Sequence, residues 1–98
     1  MAIDVPTLLD ATALKEEYPT FNSIAYCETV KIELDMEVLL RNNGEDFRVK
    51  VEEINGDQMV GKVLRECFYF DQPFGFLDMI NFERRNVIDV DINYGLIF

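Results

Sequence analysis

Val30, Ile32, Leu34, Met36, Val38 and Leu40 alternate along the chain with Lys31, Glu33, Asp35, Glu37, Leu39 and Arg41. Successive side chains of an extended chain point to opposite faces, so period-two alternation of this length predicts a half-buried β-strand rather than a helix. The run meets Asn42-Asn43-Gly44-Glu45, whose Asn-Gly pair accepts the positive φ angles of a type I′ turn. Beyond it Phe47, Val49 and Val51 share one face, with Arg48, Lys50 and Glu52 on the other. If Asn43 and Gly44 centre the turn, Leu40 pairs with Phe47, Val38 with Val49 and Met36 with Val51. Arg41 then meets Asp46 and Glu37 meets Lys50. Each such cross-strand pair contributes about 0.2–1 kcal/mol, and a one-residue slip would lose all of them. One pair is unfavourable: Asp35 falls opposite Glu52.

A second reversal is expected at Ile54-Asn55-Gly56-Asp57. A two-residue turn on Asn55-Gly56 sets Val51 opposite Val60 but Val49 opposite Lys62. A three-residue loop with Gly56 as a bulge sets Val51 opposite Met59, Val49 opposite Gly61 and Phe47 opposite Val63. The bulge is preferred because it keeps charge out of the core. It leaves Leu39, Val60 and Leu64 on an outer face that needs a cover. The segment 7–18 supplies one: Thr7 can cap a helix there, Leu8, Leu9, Ala13 and Leu14 recur at helical spacing, and Pro19 stops it. Asp10 and Lys15 suit its dipole.

Cys67-Phe68-Tyr69-Phe70 reads as a short β run leading into the loop Asp71-Gln72-Pro73-Phe74-Gly75. A further short strand spans 78–82. A polar turn over 83–86 can make one helical turn, and Val87, Ile88, Val90 and Ile92 form the last strand. Nothing demands a parallel sheet. The expected fold is mostly β (α+β): a small, strongly bent antiparallel sheet or SH3-like barrel over 28–98, with an N-terminal helix.

Ninety-eight residues fit a single domain, 1–98, and 49% hydrophobic content suffices for one core without metals or disulfide staples. The first ten residues lack a basic region and a continuous apolar stretch, and no segment approaches the roughly 18 apolar residues of a membrane span. A soluble, cytoplasmic protein is expected, away from membranes, with Cys27 and Cys67 as buried thiols. Nineteen carboxylates against nine Lys and Arg give a net charge of −10. Direct contact with nucleic acid is not expected, since phosphate needs a cationic surface.

The stretch Phe47-Arg48-Val49-Lys50-Val51-Glu52-Glu53-Ile54-Asn55-Gly56-Asp57, with Gly61, Phe76-Leu77-Asp78-Met79-Ile80-Asn81-Phe82 and Asn86-Val87-Ile88-Asp89-Val90, resembles a bacterial family, the domain of unknown function numbered 2314. The resemblance covers about half the chain and implies an SH3-like barrel. It implies no activity, because function rests on a site rather than on a fold. Leu77 stands where that family has glycine, and Asp89-Val90 where an aspartate–tryptophan pair is common.

Catalytic chemistry finds little to work with. The chain has no histidine, and Glu66 beside Cys67 would make that thiol less reactive. Glu52 and Glu53 are expected on opposite faces of a strand. Asp89 and Asp91 share a face but flank an apolar strand. No calcium loop or phosphate loop is present, so no enzyme, cofactor or metal is expected.

Two surface features are candidates for binding. The first is an acidic stripe, Glu33, Asp35 and Glu37 with Glu52 beside it, suited to arginines and lysines. The second is the aromatic loop, Tyr69, Phe74 and Phe76 with Asp71 and Asp78, suited to a cationic or extended peptide ligand. The leading expectation is a non-catalytic acidic interaction module that binds a basic protein or peptide. The alternative is a nucleic-acid-mimicking inhibitor, of the kind phages and mobile elements use against host defence. An enzyme with an unrecognised carboxylate site is a distant third.

Overall fold

The computed structural model describes residues 2–12 and 31–90. Among the described residues six strands form one mixed sheet in the order β1-β5-β4-β3-β2-β6. They are β1 (Ile3–Asp4), β2 (Glu37–Asn42), β3 (Glu45–Asn55), β4 (Gln58–Val63), β5 (Met79–Glu83) and β6 (Asp89–Val90). The chain is mostly β. Among the described residues the sheet is open, with β1 at one edge and β6 at the other.

The β2–β3 hairpin follows from its sequence. Leu40 faces Phe47, Val38 faces Val49, Arg41 faces Asp46 and Glu37 faces Lys50. Asn43 at φ +52° and Gly44 at φ +80° make the turn, both in the region that type I′ requires. Val38, Leu40, Phe47, Val49 and Val51 are all buried, so the inward face of the hairpin is the centre of the core.

The first strand is shorter than the alternation predicts. The Met36 N–H donates to the Glu33 carbonyl at 3.3 Å, closing a turn through Leu34 and Asp35, with Asp35 at φ +71°. Aspartate is among the few non-glycine residues that take this conformation readily. The Asp35 N–H reaches the Val51 carbonyl, while the Val51 N–H reaches the Met36 carbonyl, each at 2.8 Å. Asp35 and Met36 therefore share one partner, and the strand proper starts after them. Ile32 and Met36 are buried as the pattern predicts, but Leu34 between them is exposed. The unfavourable Asp35–Glu52 pairing does not arise.

The second hairpin resolves in neither expected way. Asn55 faces Gln58 across Gly56 and Asp57, so the two-residue turn sits one position later. Gly56 at φ +65° takes the first central position, the glycine site of a type II′ turn. Ile54 faces Met59 and Glu53 faces Val60, yet Val51 faces Gly61 and Val49 faces Val63. Glu52 is the extra residue of a β-bulge inside β3, which restores the apolar register that the turn alone would lose. Because the bulge inverts the alternation, Glu53 shares the outer face with Lys50, and Glu52 and Glu53 do not lie on opposite faces. Gly61 is required where it sits. A Cβ there would lie 2.9 Å from both the Phe82 ring and a Val49 methyl.

At the far side, β5 pairs with β4 antiparallel, and β1 joins β5 in parallel, Ile3 opposite Ile80. The parallel pair makes the sheet mixed rather than wholly antiparallel. It is reinforced by the Asn81 amide donating to the Asp4 carboxylate at 2.6 Å. The 3-10 turn Arg84–Asn86 matches the polar turn expected there. It returns the chain to β6, where Val90 faces Val38.

The N-terminal helix is not supported as expected. Thr7 lies in a turn, Leu8 bridges to Asn42, and the Leu9 N–H donates to the Arg41 carbonyl at 2.9 Å. Those groups are committed to the end of β2, which prevents a helix from starting at Thr7. Ala11 and Thr12 are helical, and 13–18 lie outside the described residues, as do Cys27, Val30 and everything after Val90. Leu39, Val60 and Leu64 are half-buried.

Candidate functional site

The segment 65–78 between β4 and β5 is a loop, not a strand followed by a loop. Its conformation is set by a residue that the sequence reading did not single out, Glu45, the first residue of β3. The Glu45 side chain is 6% exposed. Its carboxylate accepts the Tyr69 N–H at 2.9 and 3.0 Å and the Phe70 N–H at 2.9 Å. A strand at 67–70 would need those donors for a neighbouring strand. The carboxylate takes them instead, and the chain bends. Arg65 completes the arrangement, its Nε lying 3.2 Å from Glu45 Oε2 and donating to the Cys67 carbonyl at 2.7 Å.

Burial opposes ionisation of Glu45. The two backbone N–H groups, then Arg65 and Gln72, outweigh that cost and hold its pKa below the ordinary glutamate value. The hairpin turn grips the same loop at further points. The Asn42 amide donates to Gln72 Oε1 at 2.8 Å and the Gln72 amide returns a bond to the Asn42 carbonyl at 3.0 Å. The Asn43 amide donates to the Asp71 carbonyl at 3.2 Å. Thr7 donates its hydroxyl to Asn42 Oδ1, tying the N-terminal segment to the same corner.

With the backbone held this way, the aromatic residues divide. Phe74 is buried and packs on Phe47 at 4.8 Å between centroids, with Phe68 against both. Phe74 is thus part of the core. Tyr69 is 87% exposed and Phe70 56%. Further along, Phe76 and Leu77 are also exposed, in a turn where the Asp78 N–H donates to the Gly75 carbonyl at 3.1 Å. Asp71 and Asp78 are exposed beside these residues, and Asp78 accepts the Gly75 N–H at 2.8 Å. Cys67 is exposed, against the expectation of a buried thiol, because the bend turns its side chain away from the core.

The acidic stripe is more broken than expected. Glu33 and Asp35 lie in the turn before β2 and only Glu37 is on the strand. Cations are interleaved with it. The Lys50 ammonium lies 3.6 Å from Asp35 and 4.0 Å from Glu52, and that of Lys62 lies 3.9 Å from Glu52. Glu52 Oε2 is buried without a hydrogen bond, so those two ammonium groups are what balance it. Arg41 pairs with Asp46 through two guanidinium nitrogens on the same outer face.

Asp89 accepts the N–H of Val90 on its own side chain at 2.8 Å, and Asp91 lies outside the described residues. Among the described residues no three histidine, cysteine or carboxylate side chains come together as a metal site. None of their helices is long and apolar enough to cross a membrane. An open groove of about 660 Å³ runs beside β1, bordered by Asp4, Asp10, Glu83 and Arg85 among others, and none of the residues expected to bind lines it.

Comparison with family models, with curated proteins and with solved structures found no match. Function therefore rests on the site itself.

Proposed function

We propose that the chain is a non-catalytic interaction module that binds a basic protein or peptide through the acid-flanked aromatic edge of the 65–78 loop. The observation that carries this reading is the display of Tyr69 and Phe70 on a backbone fixed by Glu45. Large aromatic side chains are costly to leave in water unless a partner covers them, and single scattered ones need no explanation. Here two adjacent rings project from a backbone already ordered, so little conformational freedom is lost on binding. Asp71 and Asp78, with the net charge of −10, favour a cationic partner.

The nucleic-acid-mimic alternative has less support. A mimic needs an unbroken run of negative charge, and Lys50 and Lys62 interrupt the stripe that would supply it. A basic partner could still meet Glu33 and Glu37 at the periphery, where they would speed association more than strengthen it. The finer architecture we infer is a strongly bent sheet approaching an SH3-like barrel, in keeping with the resemblance to the domain of unknown function 2314. The setting we infer is cytoplasmic.

The test is fluorescence anisotropy with a labelled arginine- and lysine-rich dodecapeptide. Tyr69→Ala and Phe70→Ala should each weaken binding by about five- to thirtyfold, the range of one aromatic contact of 1–2 kcal/mol. The triple change of Glu33, Asp35 and Glu37 to glutamine should weaken it by less than about threefold. The reverse order of effects, with a steep salt dependence, would overturn the reading in favour of the mimic.

A further inference from the structure

Arg65 projects from the start of the loop into a three-sided enclosure. Its guanidinium carbon lies 5.7 Å from the Phe68 ring centroid and 5.5 Å from that of Tyr69. The third side is the Glu45 carboxylate, 3.2 Å from Arg65 Nε. Two aromatic faces and a buried anion are the elements from which proteins build receptors for guanidinium and alkylammonium groups. Most of the work of forming such a receptor is already done. The anion is desolvated, it is held by two backbone N–H groups of the loop, and the Phe68 ring is fixed against Phe47 and Phe74.

We propose that Phe68, Tyr69 and Glu45 form a guanidinium-binding cage that the chain's own Arg65 occupies in cis, so that an arginine of the basic partner enters by displacing it. This rests on the reading of the loop as the binding surface and names the group recognised there. Several observations favour a replaceable occupant over a fixed structural one. The Arg65 side chain remains about one-third exposed while its anion is buried, so the cage has a mouth toward solvent. Tyr69 is the most exposed large apolar side chain described, and can swing away without disturbing the core. Glu45 keeps its hydrogen bonds from Tyr69 and Phe70 when Arg65 leaves, so its carboxylate stays hydrogen-bonded until the incoming guanidinium replaces the counter-ion. Exchange of one guanidinium for another leaves the count of cation–π and ionic contacts unchanged. The binding energy must then come from the rest of the partner, and Arg65 acts as a threshold that excludes weak cationic ligands.

The experiment uses the full chain in four forms: wild type, Arg65→Gln, Arg48→Gln and Arg65→Gln with Tyr69→Ala. Arg48 is exposed on the outer face of β3, so Arg48→Gln makes the same change of net charge away from the cage. N-acetylargininamide probes the cage and the arginine-rich dodecapeptide probes the loop. In Arg65→Gln, argininamide should shift the Tyr69 and Phe70 amide resonances saturably, and it should not do so in wild type, in Arg48→Gln or in the double variant. The dodecapeptide should bind Arg65→Gln about five- to tenfold tighter than wild type, with less than about a twofold gain in Arg48→Gln. A folded Arg65→Gln protein whose Tyr69 and Phe70 amides ignore argininamide would overturn the cage. Argininamide entering Arg65→Gln while no form binds the dodecapeptide would leave the cage standing and remove the wider reading of the loop. If Arg65→Gln does not fold, Arg65→Lys replaces it. Lysine keeps the charge but forfeits the planar stack, so argininamide should shift the same amides there and not in wild type, and their silence would overturn the cage.

Discussion

Leu77 holds a φ of +70°, in a region that costs a side-chain-bearing residue about 1–2 kcal/mol and costs glycine nothing. The strain is maintained from both sides. The Leu77 N–H donates to the Val63 carbonyl at 2.8 Å, and the Val63 N–H donates to the Asp78 carbonyl at 2.9 Å. Leu77 is exposed, so its side chain recovers little by burial. Leu77→Gly should therefore raise the unfolding free energy by about 1 kcal/mol in urea titrations. If Leu77 belongs to the partner surface, the same substitution should weaken the dodecapeptide while stabilising the fold. Glu45 gives a second prediction at this scale. Its folded pKa lies below its unfolded one, so its stabilisation is complete above the unfolded pKa and is lost as pH falls through the folded value. The difference in stability between wild type and Glu45→Gln should thus be largest near neutrality and should shrink on acidification below the ordinary glutamate range. Denaturant melts of the two proteins at a series of pH values measure it.

Among the elements, the β3–β4 pair depends on two devices that compensate each other, the late turn at Gly56-Asp57 and the bulge at Glu52. Deleting Glu52 should give a continuous ladder with the inward register intact, and the protein should still fold. Deleting Lys50 instead moves Val49 and the rest of β3 before it by one position relative to β4, which transposes buried and exposed faces and should abolish the cooperative transition. Gly61→Ala should cost about 1–3 kcal/mol by overpacking Val49 and Phe82, read as a lower denaturation midpoint with an unchanged slope. The two hairpins also show what was legible beforehand. The first declares its register because every position contributes to it, with greasy pairs inside, Arg41–Asp46 outside and Asn-Gly at the tip. The second does not, because Asn55-Gly56 and Gly56-Asp57 are both good turn sites and a bulge leaves no mark in the alternation. A helix starting at Thr7 is suggested by a local pattern, whereas Leu8 and Leu9 are claimed by a distant strand end. Glu45 was missed for a similar reason. A carboxylate next to a turn looks like any solvated residue, and only the return of the chain more than twenty positions later buries it. That return also leaves Tyr69 on the exposed side of the loop while Phe74 is drawn into the core.

For the whole molecule, the excess of ten negative charges makes the folded state repel itself. The ion pairs on the outer face are mostly half-exposed and worth little individually. Raising ionic strength from about 0.01 M to about 0.15 M shortens the Debye length from about 30 to about 8 Å. The melting temperature should therefore rise by a few degrees over that range, because repulsion across the molecule is screened more than the short pairs are weakened. A fall in melting temperature would mean that the pairs dominate. The parallel contact of β1 with β5 adds a consequence in time. The two strands are linked by the Asp4–Asn81 bond across 77 positions. As the polypeptide is made, Ile3 and Asp4 emerge with nothing to join until β5 has also appeared. Through that interval the two early hairpin strands can already zip together while the sheet's last flank stays open, so a chaperone or a second nascent copy has its best opportunity there.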